Sequence, residues 1–355
     1  MIYSCSTKGA ALLKIRAFDV SLRTAYAQAK ETARAQAGIP LLTAGSLQTE
    51  DRAGGRFVYR YRYDATGRRI TEYIGAVSDP ATAGKVDQAR AEIAEHSAIA
   101  EYSRSLRRIG YYSADNSTVV TVASLFNAGV FGGGGVLIGT HAFGAILNEL
   151  GVSASPFPMT EDVDVATQSI ELAALPEGGF IDLLRRTGLP FHEVPPLKRG
   201  APSTSFKVRG RRLKVDLLVP ARGKPCQAVR VAGLGAHAMG LPFLEYLLKS
   251  ATDSILIGRD RIVPVTVPHP GRFCLHKLAL FRLRTSSEDA KREKDAYQAA
   301  VLAAALAEDQ DFLLLEARRA ADASMRSKLK PGARRALALL ADGHPDAARF
   351  LETLA

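Results

Sequence analysis

The sequence predicts a mixed α/β (α+β) fold with an N-terminal β-hairpin and helical region and a C-terminal helical subdomain, and three observations carry the prediction. Around residues 56–74 the side chains alternate at the two-residue period of strands. Across 131–270 short apolar runs alternate with one clear helical stretch, the pattern of a mixed sheet with packed helices. After Pro268 and Pro270 the chain turns helical and Ala/Leu-rich to its end. The expected division is therefore an N-terminal arm, hairpin and helices at 1–130, a core at 131–270 and a helical subdomain at 271–355.

Each element has its own signal. A helix near Ser21 to Ala37 is ended by Gly38 and Pro40. From Arg56, Phe57, Tyr59, Tyr61 and Tyr63 share one strand face and Val58, Arg60 and Arg62 the other, while Asp64 to Gly67 turns the chain into a second strand at Arg69 to Ile74. The tyrosine face suits either packing in a half-buried hairpin or stacking of bases. Pro80 separates the hairpin from a charged helix at Lys85 to Arg108, and a helix at Ser117 to Ala128 leads into the glycine run at 132–135. The C-terminal helices are expected near 271–284, 287–308, 310–326, 331–342 and 345–354.

Composition excludes several classes. A chain of 355 residues with 47% apolar residues can bury a real core. The net charge of +11 favours polyanionic partners. Three widely spaced cysteines form neither a disulfide framework nor a zinc motif and point to a reducing cytoplasm. No apolar run approaches the roughly 20 residues that span a bilayer, so no membrane role is expected.

The chemistry is written in three places. Gly134 to Ile138 reads as a strand running into Gly139 and Thr140, after which Phe143, Ile146, Leu147 and Leu150 mark a helix closed by Gly151. A glycine and a hydroxyl at a helix N-terminus suit a triphosphate, although a tight turn between core elements has the same pattern, and neither Walker A nor GxGxxG is present. In Thr160-Glu-Asp-Val-Asp-Val165 the strand period puts Asp162 and Asp164 on one face, about 6.5–7 Å apart, with the valines on the other. Two such carboxylates repel unless a divalent cation, best Mg²⁺, offsets the charge; a solvated loop is the bland alternative. Asp216 then interrupts the apolar run Leu213 to Pro220, where a buried charge needs a partner. That partner is either a metal shared with Asp162 and Asp164, three carboxylates sufficing for two Mg²⁺ ions roughly 3.5–4 Å apart, or a salt bridge to Lys214 or a nearby Arg. Around it, residues 198–224 hold nine Lys/Arg and one acid, a local charge of +8.

Taken in order, strand, Gly-Thr, helix, Asp-x-Asp and a lone strand Asp about fifty residues later, the core resembles the polymerase β-type nucleotidyltransferase superfamily. More narrowly it is similar to bacterial GSLQ-type nucleotidyltransferase-domain proteins, relatives of the AbiEii/MenT toxins, through Gly45-Ser-Leu-Gln48, Tyr73-Ile-Gly75, Val136 to Phe143, Thr160 to Asp164, Val215-Asp-Leu217, His276-Lys277 and Lys294-Asp295. The resemblance implies a polymerase β-like catalytic core at 131–270. It implies that Gly139 and Thr140 hold the NTP phosphates, with Lys277 and Lys294 neutralising their charge. Asp162, Asp164 and Asp216 would carry catalysis and bind the metal, Mg²⁺ with Mn²⁺ as the alternative. Met159 stands where related cores often place Arg. The expected reaction moves NMP from an NTP such as ATP to an acceptor hydroxyl and releases pyrophosphate. RNA, tRNA in particular, is the favoured acceptor, contacted by Lys207, Arg209, Arg211 and Arg212. A toxin-like role would bring an antitoxin-like protein partner. The alternative is a non-catalytic nucleotide- or nucleic-acid-binding protein on the same fold. His141 and His276 are expected to be structural.

Overall fold

Asp19 opens the first helix, because its carboxylate accepts the Leu22 amide at 3.0 Å and so satisfies an N-terminal N–H that has no partner within the helix. In the computed structural model, which describes residues 13–155, 160–170, 178–196, 200–340 and 343–355, a short strand β1 (Lys14–Ala17) precedes this helix, α1 (Val20–Arg34). Residues 1–12, Met159, Lys198 and Arg199 lie outside the described residues.

The alternating stretch forms three strands where the sequence signals two. β2 (Ser46–Arg52), β3 (Gly55–Tyr63) and β4 (Arg69–Ala76) make an antiparallel sheet in that order. The added strand, Ser-Leu-Gln-Thr-Glu-Asp-Arg, is a polar edge strand without alternation, which is why its pattern is silent. α2 (Pro80–Ile109) begins five residues before the expected Lys85: Asp79 caps it by accepting the Ala81 amide at 3.0 Å, and Pro80 stands at the first helical position, where its missing N–H costs nothing. Gly110, at φ 106°, ends it in the left-handed conformation.

α3 (Asn116–Asn127) is capped by Asp115 and is buried along most of its length. It is followed by β5 (Gly135–Ile138), α4 (Gly139–Leu150), β6 (Val152–Ser155), β7 (Asp162–Thr167), α5 (Gly179–Arg185), β8 (Phe191–Glu193), β9 (Ser205–Val208), β10 (Lys214–Pro220), β11 (Ala228–Val231) and β12 (Ala236–Leu241). The strands build a mixed seven-stranded sheet whose main path is β11-β12-β10-β7-β5. β10 runs parallel to β7 along one edge; on its other edge its first half pairs antiparallel with β9 and its second half parallel with β12. Val163, Val165, Val215 and Leu217 point from β7 and β10 into the core and are at most 1% exposed. α6 (Leu244–Leu248) and the antiparallel pair β13 (Thr252–Ile257) and β14 (Ile262–Val267) complete this region.

The chain divides into two units: 19–148 with 160–267, and 1–18 with 149–159 and 268–355. The second unit holds the β1–β6 pair and the helices α7 (Pro270–Leu283), α8 (Asp289–Ala307), α9 (Asp311–Ala320), α10 (Ala323–Leu340) and α11 (Pro345–Glu352). Here Pro331 does not separate two helices as its presence suggests: α10 continues through it. Proline inside a helix costs about 3 kcal/mol, but the neighbouring Gly332 lets α10 approach α7 so closely that an added Cβ would stand 2.3 Å from the Leu278 carbonyl oxygen. Buried contacts by Leu329, Ala333 and Ala336 offset the break. Among the described residues no helix is long and apolar enough to cross a membrane.

Candidate active site

Strand register gathers the predicted carboxylates. β7 and β10 pair so that Asp164 lies beside Asp216 and Asp162 beside Lys214. β9 adds Ser205 beside Asp216 and Lys207 beside Lys214, and β8 adds His192 beside Lys207. Laterally paired residues share a face, so two polar rows cross this part of the sheet: Asp164, Asp216, Ser205, and one step earlier Asp162, Lys214, Lys207, His192. The opposite face is the apolar core.

Gly139 closes the other side. It has φ +72°, and a Cβ there would meet the Asp164 Oδ2 atom at 2.1 Å, so only glycine admits this carboxylate at the start of α4. A helix N-terminus favours negative charge, which suits Asp164. Thr140 follows in the first turn, 3% exposed. Behind it, His141 Nδ1 and the Tyr112 hydroxyl are hydrogen-bonded at 2.6 Å. The Tyr112 phenol is pushed well above its usual range by burial, with Asp115 adding to the shift.

Asp216 has two partners. Ser205 donates its hydroxyl to Oδ1 at 2.5 Å, and Lys214 Nζ stands 2.7 Å from Oδ2. The salt bridge to Lys214 is one of the two fates open to this aspartate from sequence. Half-burial works against the Lys214 ammonium, yet its hydrogen bond to Asp216 and the charges of Asp216, Asp162 and Asp164 hold its pKa above the ordinary lysine value. Lys214 thus feels all three carboxylates. Among the described residues no group of three or more His, Cys, Asp or Glu side chains is gathered closely enough to hold a metal ion. The donor chemistry nevertheless fits one: hard carboxylate oxygens on one sheet face, with like charge that only cations can offset.

The other predicted positions are dispersed. Lys207 is exposed on the carboxylate face. Arg209 and Arg212 are exposed in the turn between β9 and β10, whereas Arg211 donates to Ser117 Oγ at 2.6 Å. Lys277 and Lys294 belong to the other unit, where Lys277 is buried and bonded to Asp295 at 2.9 Å. A cavity of about 480 Å³, lined by Thr167, Pro220, Arg222 and Arg230 among others, opens at the far end of β7 and β10 and leaves the aspartates out. Ser205 is the residue that sequence reasoning missed. Its signal exists only as a register across the β9–β10 turn.

A family model described as nucleotidyltransferase matches residues 116–322, from α3 to the residue before α10. The chain belongs to this nucleotidyltransferase family. No curated relative matches it. A polymerase β-like nucleotidyltransferase domain is therefore present, and the mixed sheet with its helical C-terminal region is the fold expected of one. Within that domain fall Gly139, Thr140 and the three aspartates.

Proposed function

We propose that this nucleotidyltransferase moves a nucleoside monophosphate from an NTP to a hydroxyl of RNA, tRNA being the narrower candidate. The observation that carries the reading is the register pairing of Asp164 with Asp216, with Asp162 on the same face and Gly139 against Asp164. The N-terminal turn of α4, at Gly139 and Thr140, offers backbone N–H groups to the triphosphate. Asp162, Asp164 and Asp216 would hold Mg²⁺, or Mn²⁺ in its place. When bound, such ions neutralise developing phosphate charge and sharpen the attacking oxygen. The acceptor oxygen forms a bond to the α-phosphorus as the bond to the bridging oxygen breaks. Pyrophosphate leaves with that electron pair, and the acceptor proton passes to Asp216.

For Asp216 to serve, Lys214 must release it. The lysine is one-third exposed, and on its flexible stem it can turn from the carboxylate to an incoming phosphate, a displacement that couples substrate entry to assembly of the site. Exposed Lys207, Arg209 and Arg212 supply the field that draws a polyanion. Phosphate contacts by Lys277 and Lys294, a toxin role and an antitoxin-like partner rest on family resemblance alone. One observation favours a second reading, a nucleotide- or nucleic-acid-binding protein without turnover: Asp216 is already neutralised by Lys214.

Incubating wild-type and Asp162→Asn protein with each α-³²P-labelled NTP, Mg²⁺ and total bacterial RNA separates the two. Label entering RNA with wild type only supports transfer. Label entering protein or small molecules would replace the acceptor, and NTP binding without transfer to any fraction would favour the binding protein.

A further inference from the structure

The three-stranded sheet has two unlike faces. α2 lies on one: a Cβ on Gly75 would meet Thr82 Oγ1 at 2.0 Å, and Arg60, 4% exposed, is held by Glu92 at 2.6 Å and by the Ala44 carbonyl at 3.0 Å. An arginine is thus packed inward beside Val58, while the aromatic side chains of the same strand point away from α2.

Those aromatics form a connected surface. Tyr59 is the register partner of Tyr73, with ring centroids 5.6 Å apart; Phe57 lies 6.2 Å from Tyr73, and Tyr61 6.4 Å from Tyr59. The Arg52 guanidinium covers the Tyr59 ring at 4.6 Å, and that of Arg69 covers Tyr61 at 4.8 Å. Tyr73 is 56% exposed and Tyr63, at the end of β3, 46%, whereas Tyr59 is half-buried and Tyr61, beneath Arg69, is 8% exposed. The acid on this face, Glu50, is bound by the Tyr61 hydroxyl and by Arg52, which holds its carboxyl below the usual range. Cross-strand aromatic pairing explains ring contacts within a sheet. It does not require the outermost ring to stand open to water or guanidinium groups to stand over the inner ones.

We infer that this face is a stacking platform for single-stranded RNA. Exposed Tyr73 and Tyr63, flanked by the inner rings of Tyr59 and Tyr61 under planar cations that can move from a ring to a phosphate, match what unpaired bases on a backbone need. A duplex hides its base faces and would gain little here. The inference names where an RNA acceptor is gripped and so draws its purpose from the proposed function, yet it is tested without NTP.

Fluorescence anisotropy of the full chain with a labelled mixed-sequence 12-nucleotide RNA tests it, with the annealed duplex and the equivalent DNA strand as competitors. Tyr73→Ala and Tyr59→Ala should each weaken binding about 5- to 100-fold. Tyr73→Trp should restore it, and Asp162→Asn should leave it intact. Wild type that does not bind, alanine variants that bind as wild type does, or equal capture of duplex would overturn the platform; equal binding of DNA would overturn the choice of RNA. Sedimentation of the same variants reveals the remaining occupant: a wild-type dimer lost in Tyr73→Ala would make this face a contact between copies and overturn the inference. Binding through Tyr73 without any NMP transfer would end the proposed function and leave the platform standing, and transfer to RNA unaffected by both alanine variants would do the reverse.

Discussion

The two units each contain a lysine bonded to an aspartate, and the two pairs are put to different use. In the helical unit, Lys277 and Asp295 are 8% and 0% exposed, and Arg284 donates to the second carboxylate oxygen at 2.6 Å. In the sheet unit, Lys214 and Asp216 are 33% and 19% exposed, and two further carboxylates stand on the same face. The first pair is dry and saturated: burial alone would raise the Asp295 pKa, but Lys277 and Arg284 bring it below the ordinary value. The second is wetter and has an excess of negative charge, so its lysine can be exchanged for another cation. The same two residue types make a structural brace where solvent is excluded and an exchangeable counter-charge where it is not.

That contrast can be broken from either side. Asp295→Asn leaves the buried Lys277 without its anion and Arg284 with Glu288 alone, and should cost about 3–5 kcal/mol of stability in denaturant titration. Asp216→Asn should cost less than about 1 kcal/mol, because it also relieves repulsion from Asp164. Equal losses would erase the distinction.

Acid should act on the helical unit next. Burial, with Lys277 adding to it, pushes His276 down to about 3, against an ordinary value of 6.5. Neither ring nitrogen has a hydrogen-bond partner. Between those values the unfolded chain binds a proton that the folded chain refuses. This contribution is therefore whole above about pH 6.5 and falls by about 1.4 kcal/mol per pH unit on the way to about 3. The depressed Asp295 acts at the acid end of that window and below it, its stabilisation being lost only as pH falls from about 3.8 through its folded-state value. Thermal melts of His276→Leu across pH 4–7 should show a shallower acid limb than wild type, and an unchanged limb would remove His276 from the account. A smaller effect is expected of Gly332→Ala. Its methyl would press on the Leu278 carbonyl, costing about 1–3 kcal/mol by overpacking and leaving the Lys214–Asp216 pair untouched.

Much of the candidate site was legible because its signals are local. The two-residue period of β7 puts Asp162 and Asp164 on one face, and an isolated aspartate in the apolar run of β10 marks itself. Gly139 is legible as a turn, but its need to admit Asp164 is not, since that is a contact between distant segments. Ser205 and Lys207 join the carboxylates only through antiparallel register across the turn at 209–212. β2 was invisible because a polar edge strand has no alternation, and the unbroken α10 because packing against Leu278 overrides proline. Which face of β3 packs on α2 was illegible as well: the pattern shows two faces, and nothing in it says that Arg60 goes toward the helix with an ion pair while the tyrosines take the other face.

Pyrophosphate release from NTP in the presence of Mg²⁺ and RNA, compared among wild type and the Asp162→Asn, Asp164→Asn and Asp216→Asn variants, tests the central claim most directly. The account predicts turnover by wild type and losses of about 10²- to 10⁴-fold in every variant, equivalent to about 3–5 kcal/mol of transition-state stabilisation, with melting temperatures close to that of wild type. Variants that keep wild-type rates would contradict it, as would a folded wild-type protein that binds NTP and RNA and releases no pyrophosphate.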